Sequence, residues 1–427
     1  MKGRVVAFCL GSALVLAACS TSKSTSTSTS TIASSSSGTT ASSAPSLPTP
    51  SSPASGTPIQ VFFFNEQGAS AAASSPEDYT AAVAAVDYVN KNLGGIKGRP
   101  ISMIHCATLG TPDSVINCAN EAVSDKVDVV INGTETSGSA AVPILAGAGI
   151  PFIDQNTGDP AALTNSDTFV ISAGDSPLLA APVEFAKDQG YKSIGMIYTN
   201  VTSLAVAANS VVGKLAAKNG ISFTAVPVGV TTADLTPAYS SLLAKKVQLI
   251  EVVTDTAQCS AALQARQSLA DTTPIVMSTP CSGVLNSVPA SVDNGAYLVT
   301  ADTSTAANAP DTQTFRTVMS TYQPTASTKG FAAVGFSSIM NLYSAVEKSG
   351  TAAAALNATT IKQALATATD VHLWLAGGMT FSCGAHLFAS APSACAGAAF
   401  LLKYDASNNS FTLAKGYDMS GPLKGIL

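Results

Sequence analysis

Apolar residues in the body of the chain fall in short runs, and the stretches between those runs carry helical spacing. Residues 59–64, Ile-Gln-Val-Phe-Phe-Phe, make a run of buried-strand length. Tyr79, Val83, Val86 and Val89 then recur one helical turn apart until Gly94-Gly95 ends the pattern. Residues 101–105 predict a second strand, 114–124 a helix and 127–131 a third strand. A helix over 139–148 and a short strand over 150–153 follow. After a Gly-Asp-Ser-Pro break at 174–177 the alternation resumes. Strands are expected at 194–198, 223–228, 249–253 and 275–277, with helices from about 178, 204, 238 and 257. Buried strands that alternate with helices predict an α/β fold, with parallel sheets covered by crossover helices on both faces. Two such runs predict two lobes.

In open sheets of this kind ligands sit beyond the carboxyl ends of the strands. That rule selects the loops 65–68, 132–139, 154–159, 199–203, 254–258 and 278–282, which are rich in Ser, Thr, Asn and Asp. Amides near Ser137-Gly138-Ser139 suit a carboxylate or a similar anion. The same hydroxyls also fit simple helix caps.

The amino-terminal pattern is different. Lys2 and Arg4 precede an apolar run over 5–18, too short for a membrane span and matching a secretory signal. It ends in Leu16-Ala17-Ala18-Cys19, which resembles the bacterial lipobox. The resemblance implies a signal peptide over 1–18 and acylation of Cys19. From 19 to 57 nearly every residue is Ser, Thr, Ala, Pro or Gly. No apolar period offsets the entropy of ordering that stretch, so a flexible tether is expected there. A glycosylated stalk has the same composition. Roughly 370 residues remain, more than one compact core takes and comfortable for two.

Lys2, Arg4 and Lys23 are the only charged residues before Pro58. The folded body therefore carries 18 basic and 26 acidic side chains, a formal charge of −8. Such a balance argues against a nucleic-acid partner. Apart from Cys9 and Cys19, six cysteines remain, and an even number in an exported chain suggests disulfides. The three local pairs, Cys106 with Cys118, Cys259 with Cys281 and Cys383 with Cys395, are preferred among fifteen possible pairings. Each would add about 3 kcal/mol in the chain-entropy picture. A metal site on Cys383, His386 and Cys395 is the rival. It lacks the repeated spacing of a zinc site, so no metal and no cofactor are expected.

The segment Asn90-Lys91-Asn92-Leu93-Gly94-Gly95-Ile96-Lys97-Gly98-Arg99-Pro100-Ile101 resembles the leucine/isoleucine/valine-binding proteins, type I periplasmic receptors of ABC importers. Gly149-Ile150-Pro151-Phe152-Ile153, Ser193-Ile194-Gly195-Met196-Ile197-Tyr198 and Gly295-Ala296-Tyr297-Leu298-Val299-Thr300 are similar to that family in order and spacing, so the likeness covers 58–427. The resemblance implies two Rossmann-like lobes joined by a three-strand hinge, with crossings near 172–177, 299–303 and 375–380. One lobe would be 58–173 plus 301–376, the other 174–300 plus 377–427. It further implies a lipid-anchored receptor on the outer face of the cytoplasmic membrane that presents ligand to permease subunits. No bond is made or broken in that role.

Transferred position by position, the resemblance puts the ligand-holding hydroxyl after the third strand at Thr136, with Ser137 beside it. It puts a second hydroxyl at Thr157, before Gly158-Asp159-Pro160, and pocket positions at Ser203 and Asp255. The acid that meets the ligand ammonium falls near Pro280, which carries no charge. Asp255 or Glu66 is expected to replace it, while Glu251 belongs to a strand. These departures widen the expected ligand to an amino acid, an amide or another small polar metabolite.

Two alternatives have different outputs. A sensor of the same fold would pass closure to a partner protein. A secreted hydrolase is the remoter alternative, because no Gly-x-Ser-x-Gly elbow and no paired acid/base carboxylates are visible. His105, His372 and His386 are expected to be structural, and Trp374 and Phe381 to pack near the third crossing.

Overall fold

The computed structural model describes residues 46–67, 74–155, 157, 159–171 and 174–427, with the backbone but not the side chain of Ser203. The expected signal segment 1–18, Cys19 and the tether as far as residue 45 lie outside the described residues, as do parts of the 65–68, 154–159 and 172–177 segments.

Two separate sheets carry the fold. In the first, β1 (Ile59–Glu66), β2 (Ile101–Thr108), β3 (Val129–Asn132), β4 (Phe152–Asp154) and β5 (Thr168–Val170) run parallel in the order β2-β1-β3-β4-β5. Phe62 and Phe64 face the helices Pro112–Ser124 and Val142–Ala148, packing with Val115, Val130 and Phe152. Val61 and Phe63 face the other way, into the cluster that holds the helices Pro76–Tyr88 and Ala332–Lys348. A strand buried on both faces must be apolar at consecutive positions, as β1 is. The expected strand at 150–153 begins only at Phe152, because Pro151 has no N–H to give the ladder. Its carbonyl still accepts from Val130 N (3.0 Å).

The second sheet holds β6 (Ser193–Thr199), β7 (Ser222–Val228), β8 (Leu249–Val253), β9 (Ile275–Ser278) and β10 (Tyr297–Thr300). Two strands from the far end of the chain, β13 (Ala398–Asp405) and β14 (Ser410–Asp418), complete it in the order β14-β13-β10-β9-β8-β6-β7. A short antiparallel pair, β11 (Val371–His372) and β12 (Thr380–Phe381), stands apart. Helix Asp175–Asp188 and the helical stretch from Thr202 to Lys218 cover one face of the second sheet, and helices Thr236–Ala244 and Thr256–Ser268 cover the other.

From β7 through β10 this sheet is parallel, as expected, and its far edge is antiparallel. β13 is antiparallel to both β10 and β14. Four residues join β13 to β14, and so short a link can only make a hairpin. β5 and β14 were not among the predicted strands. β5 is only three residues long, and in β14 polar residues and Gly416 interrupt the apolar run.

The chain interleaves the two layers. After β10 it passes to helix Pro310–Tyr322 and helix Ala332–Lys348, which pack beside Pro76–Tyr88 on the first sheet. It then returns to pair β13 with β10. Near that return, Val170 of β5 accepts from Cys395 N (2.8 Å) and donates to Ser393 O (2.9 Å). Trp374 and Phe381 pack in the core beside this passage. Trp374 Nε1 donates to Ser344 Oγ (2.9 Å).

Residues 46–57, inside the segment expected to be tether, lie along the first lobe. Leu47 packs on the core, Asn92 donates to Pro48 O (2.9 Å), and Ser55 N donates to Gly98 O (2.8 Å). Gly94 and Gly95 have positive φ, and a side chain on either would collide with this segment or with Arg99 O. Ser/Thr/Pro composition signals a lack of core residues, and it does not reveal backbone hydrogen bonds to a neighbouring loop.

All three local cysteine pairs form disulfides: Cys106–Cys118, Cys259–Cys281 and Cys383–Cys395. Among the described residues no helix is long and apolar enough to cross a membrane.

Candidate functional site

At the carboxyl end of the first sheet, β1 delivers Glu66, which is buried, and the loop after β3 delivers Thr136 and Ser137. The structure brings Thr136 to Glu66, and the threonine hydroxyl donates to Glu66 Oε2 (3.2 Å). Glu66 also lies against Gly110 after β2, where an added Cβ would sit 2.4 Å from Oε1. The glycine is what leaves room for the carboxylate. Ser137 Oγ donates to Gly110 O (3.3 Å), tying the loop after β3 to the loop after β2.

Sequence reasoning did not single out Glu135, although it belongs to the same loop. Its buried carboxylate accepts Ser137 N (2.8 Å) and the Thr108 hydroxyl. Gly138 N donates to the Glu135 carbonyl (3.2 Å). Two of the amides expected to wait for an anion, those of Ser137 and Gly138, are therefore engaged within the loop itself. The available signal was an acid two residues before the small-residue helix start, the position from which a carboxylate folds back onto backbone N–H groups.

The loop after β4 contributes Thr157, which accepts from Asp159 N (3.1 Å). Asp159 caps helix Pro160–Thr164 through Ala161 N (2.8 Å) and accepts from Ser139 Oγ (2.5 Å). Thr157 O lies 3.0 Å from where a Cβ on Gly174 would be. This is where the first sheet's loops meet the start of helix Asp175–Asp188.

At the carboxyl end of the second sheet there is a concavity of about 460 Å³. Leu178, Leu179, Leu204, Val253 and Val299 form its apolar lining, and Thr199, Thr254 and Ser278 bring hydroxyls. Asp255 and Pro280 lie on it as well, so the expected acid position is indeed uncharged. Asp255 is exposed and caps helix Thr256–Ser268, accepting from Gln258 N (2.9 Å). Gln258 in turn accepts from Thr199 Oγ1 (2.7 Å) and donates to Gly229 O (2.7 Å), joining three strand ends. The Cys259–Cys281 disulfide fastens the start of this helix to the loop after β9. Ser203 lies in helix Thr202–Ala207, and its side chain is outside the described residues. Glu251 is in the middle of β8, fully buried with neither carboxylate oxygen hydrogen-bonded, and burial holds its pKa well above the usual range.

The histidines lie elsewhere. His105 Nε2 pairs with Asn65 Oδ1 (2.9 Å), its ring stacks on Tyr79, and burial lowers its pKa. His372 pairs with Asp311 Oδ2 (3.1 Å), and that hydrogen bond raises its pKa. His386 Nδ1 faces Pro392 O (3.1 Å), and the neighbouring cysteines are consumed in a disulfide.

Comparison with known proteins agrees with this architecture. The family described as "Periplasmic binding protein" matches residues 59–398. No curated protein sequence matches the chain. Among solved structures, a fatty acid ABC transporter substrate-binding protein from Thermomonospora curvata superposes with a TM-score of 0.64 at 17% identity, covering 87% of this chain and 96% of that one. An ABC transporter substrate-binding protein from Sphaerobacter thermophilus gives 0.68 at 16% identity, with 85% and 98% covered. The branched-chain amino acid transporter substrate-binding protein LivJ from Streptococcus pneumoniae, in complex with isoleucine, gives 0.62 at 19%, with 85% and 99% covered. At these identities the likeness is one of fold.

Proposed function

The chain belongs to the periplasmic binding protein family, and from that premise we propose that it is the extracytoplasmic receptor of an ABC importer. It captures an amino acid, an amide or a similar small polar metabolite between its two lobes and presents it to permease subunits. The lobes are 58–173 plus 301–376 and 174–300 plus 377–427. Glu66, Thr136, Ser137 and Thr157 hold the ligand from the first lobe, and Ser203 and Asp255 from the second. Contact with both lobes favours the closed form, since a ligand shifts a hinge only by what it gains in one state over the other. Cys19, acylated after removal of residues 1–18, anchors the protein to the outer face of the cytoplasmic membrane. The protein performs no chemistry on its ligand.

The observation that carries this reading is the gathering of Glu66, Thr136, Ser137 and Thr157 at the strand ends of one sheet, with a concavity at the strand ends of the other. Such concave sites with a few convergent polar groups are where small molecules bind. A thermal-shift screen of the oxidised protein against amino acids, amides, ureas, sugars and aromatic acids tests it. A ligand that binds only the folded state raises the melting temperature with its concentration. One responding class supports the receptor reading. Cooperative melting that no class shifts overturns it.

A further inference from the structure

We propose that the ligand is a small aliphatic amine that carries no carboxylate, a refinement that rests on the receptor reading above. Three sets of observations converge on it.

The first concerns where an anion could be held. A carboxylate is held most strongly by a basic side chain or by unengaged amides at a helix start. The loops 65–68, 107–110, 132–139, 154–159, 199–203, 228–234, 254–258, 278–282 and 300–304 contain no Lys, Arg or His. At three of the helix starts the protein's own carboxylates already occupy an amide. Glu135 takes Ser137 N (2.8 Å), Asp159 takes Ala161 N (2.8 Å) and Asp255 takes Gln258 N (2.9 Å). A ligand carboxylate entering there would meet fixed negative charge at each of these positions, at a cost that grows as water is excluded.

The second concerns a cation. Glu66 is 4% exposed, and Thr136 donates to its Oε2. Oε1 rests beside Gly110, in space that only the missing side chain provides. A buried carboxylate so placed is stabilised by an ammonium through a charge-assisted bond. Glu135, at the foot of the same loop, adds to the negative potential.

The third concerns the remainder of the ligand. The concavity at the second sheet is lined by Leu178, Leu179, Leu204, Val253 and Val299. Leu109, directly after β2, is 65% exposed, and Val201 after β6 is 39% exposed. The concavity's apolar lining, which includes Val201, is satisfied by a hydrocarbon surface.

Four compounds that share one branched skeleton test the proposal on the unmutated protein by calorimetric titration: 3-methylbutylamine, leucinamide, leucine and 4-methylpentanoate. Both carboxylate-free amines should bind, leucine about tenfold more weakly or worse, and 4-methylpentanoate not at all. Leucine binding as tightly as either amine overturns the proposal, as does any binding of 4-methylpentanoate, and both outcomes leave the receptor reading intact. Silence from all four also overturns it, while the broader thermal screen separately decides whether the protein is a receptor. Two variants locate the cause, each first shown to melt cooperatively without ligand. Glu66→Gln should weaken both amines about tenfold. Glu135→Gln should narrow the gap between leucine and the amines about fivefold, and an unchanged ratio removes Glu135 from the explanation.

Discussion

The Asp78 carboxyl and the Thr134 hydroxyl are 2.7 Å apart, and this contact couples the first helix of the fold to the loop that carries Glu135, Thr136 and Ser137. Thr134 Oγ1 also lies 2.6 Å from Ser75 Oγ, which donates to the Glu66 carbonyl (3.2 Å). One threonine proton cannot serve two acceptors. Protonated Asp78 donates to Thr134, frees the Thr134 proton for Ser75, and completes a chain of donors ending on Glu66. Ionised Asp78 takes the Thr134 proton for itself.

Burial raises the Asp78 pKa from 3.8 to about 7. The folded state thus holds a proton that the unfolded chain has released, so stability falls as pH rises from about 4 through 7 and levels off above. The full difference is on the order of 4 kcal/mol. His372, whose pKa the Asp311 hydrogen bond raises, adds loss of the same sign as pH rises, whereas His105, lowered by burial, opposes it. Asp78→Asn isolates the aspartate. Its melting temperature should vary less between pH 5 and 8 than the parent's, and equal slopes would remove Asp78 as the source.

Gly335 is where helix Ala332–Lys348 crosses helix Pro76–Tyr88. A Cβ there would lie 1.9 Å from Asp78 O and 2.6 Å from Asp78 Oδ1. Backbone cannot yield as a flexible side chain can. Gly335→Ala should cost about 1–3 kcal/mol or more, against the gain in helix propensity that alanine normally brings. Denaturant unfolding of the variant measures it, and a stabilised Gly335→Ala would show that the two helices can separate.

Glu251 is buried without a hydrogen-bond partner, among Leu249, Val253, Met196 and Val276 on the face of the second sheet under helix Asp175–Asp188. Glu251→Met keeps similar length and removes the unsatisfied group. It should raise stability by about 1–3 kcal/mol, read as a higher denaturant midpoint with unchanged slope. Ligand affinity should not change, because the residue lies in the middle of its strand, away from the strand-end loops. A loss of affinity would place Glu251 in the site.

The Cys259–Cys281 bridge closes a separation of 22 residues between two loops that border the concavity. Replacing both cysteines by alanine should destabilise the protein by about 3 kcal/mol in the chain-entropy picture. It should also weaken ligand binding, because the start of helix Thr256–Ser268 then loses its covalent tie. The corresponding Cys383–Cys395 variant, whose cysteines do not line the concavity, should lose stability with binding intact. Titration of both double variants with the same ligand makes the comparison.

Much of the architecture was legible in the chain. A parallel strand buried on both faces must be apolar at consecutive positions, so residues 59–64 and 194–198 declare themselves without tertiary information. The cysteine pairs were legible because each lies close in sequence. The antiparallel hairpin of β13 and β14 was not, since polar residues and Gly416 interrupt β14. Nor was the docking of residues 46–57, which rests largely on backbone hydrogen bonds to a neighbouring loop.

The candidate site divides along the same line. Sequence by itself determined which loops end the buried strands, and that these loops hold hydroxyls and acids but no base, because both facts are read residue by residue. Only the tertiary structure decided which partner each group has. It turned Glu135 onto Ser137, Asp255 onto its own helix and Thr136 onto Glu66. Strand pattern reports burial, which is periodic along the chain. Hydrogen-bond pairing depends on distances between loops, and those are set only when the sheets have formed and packed.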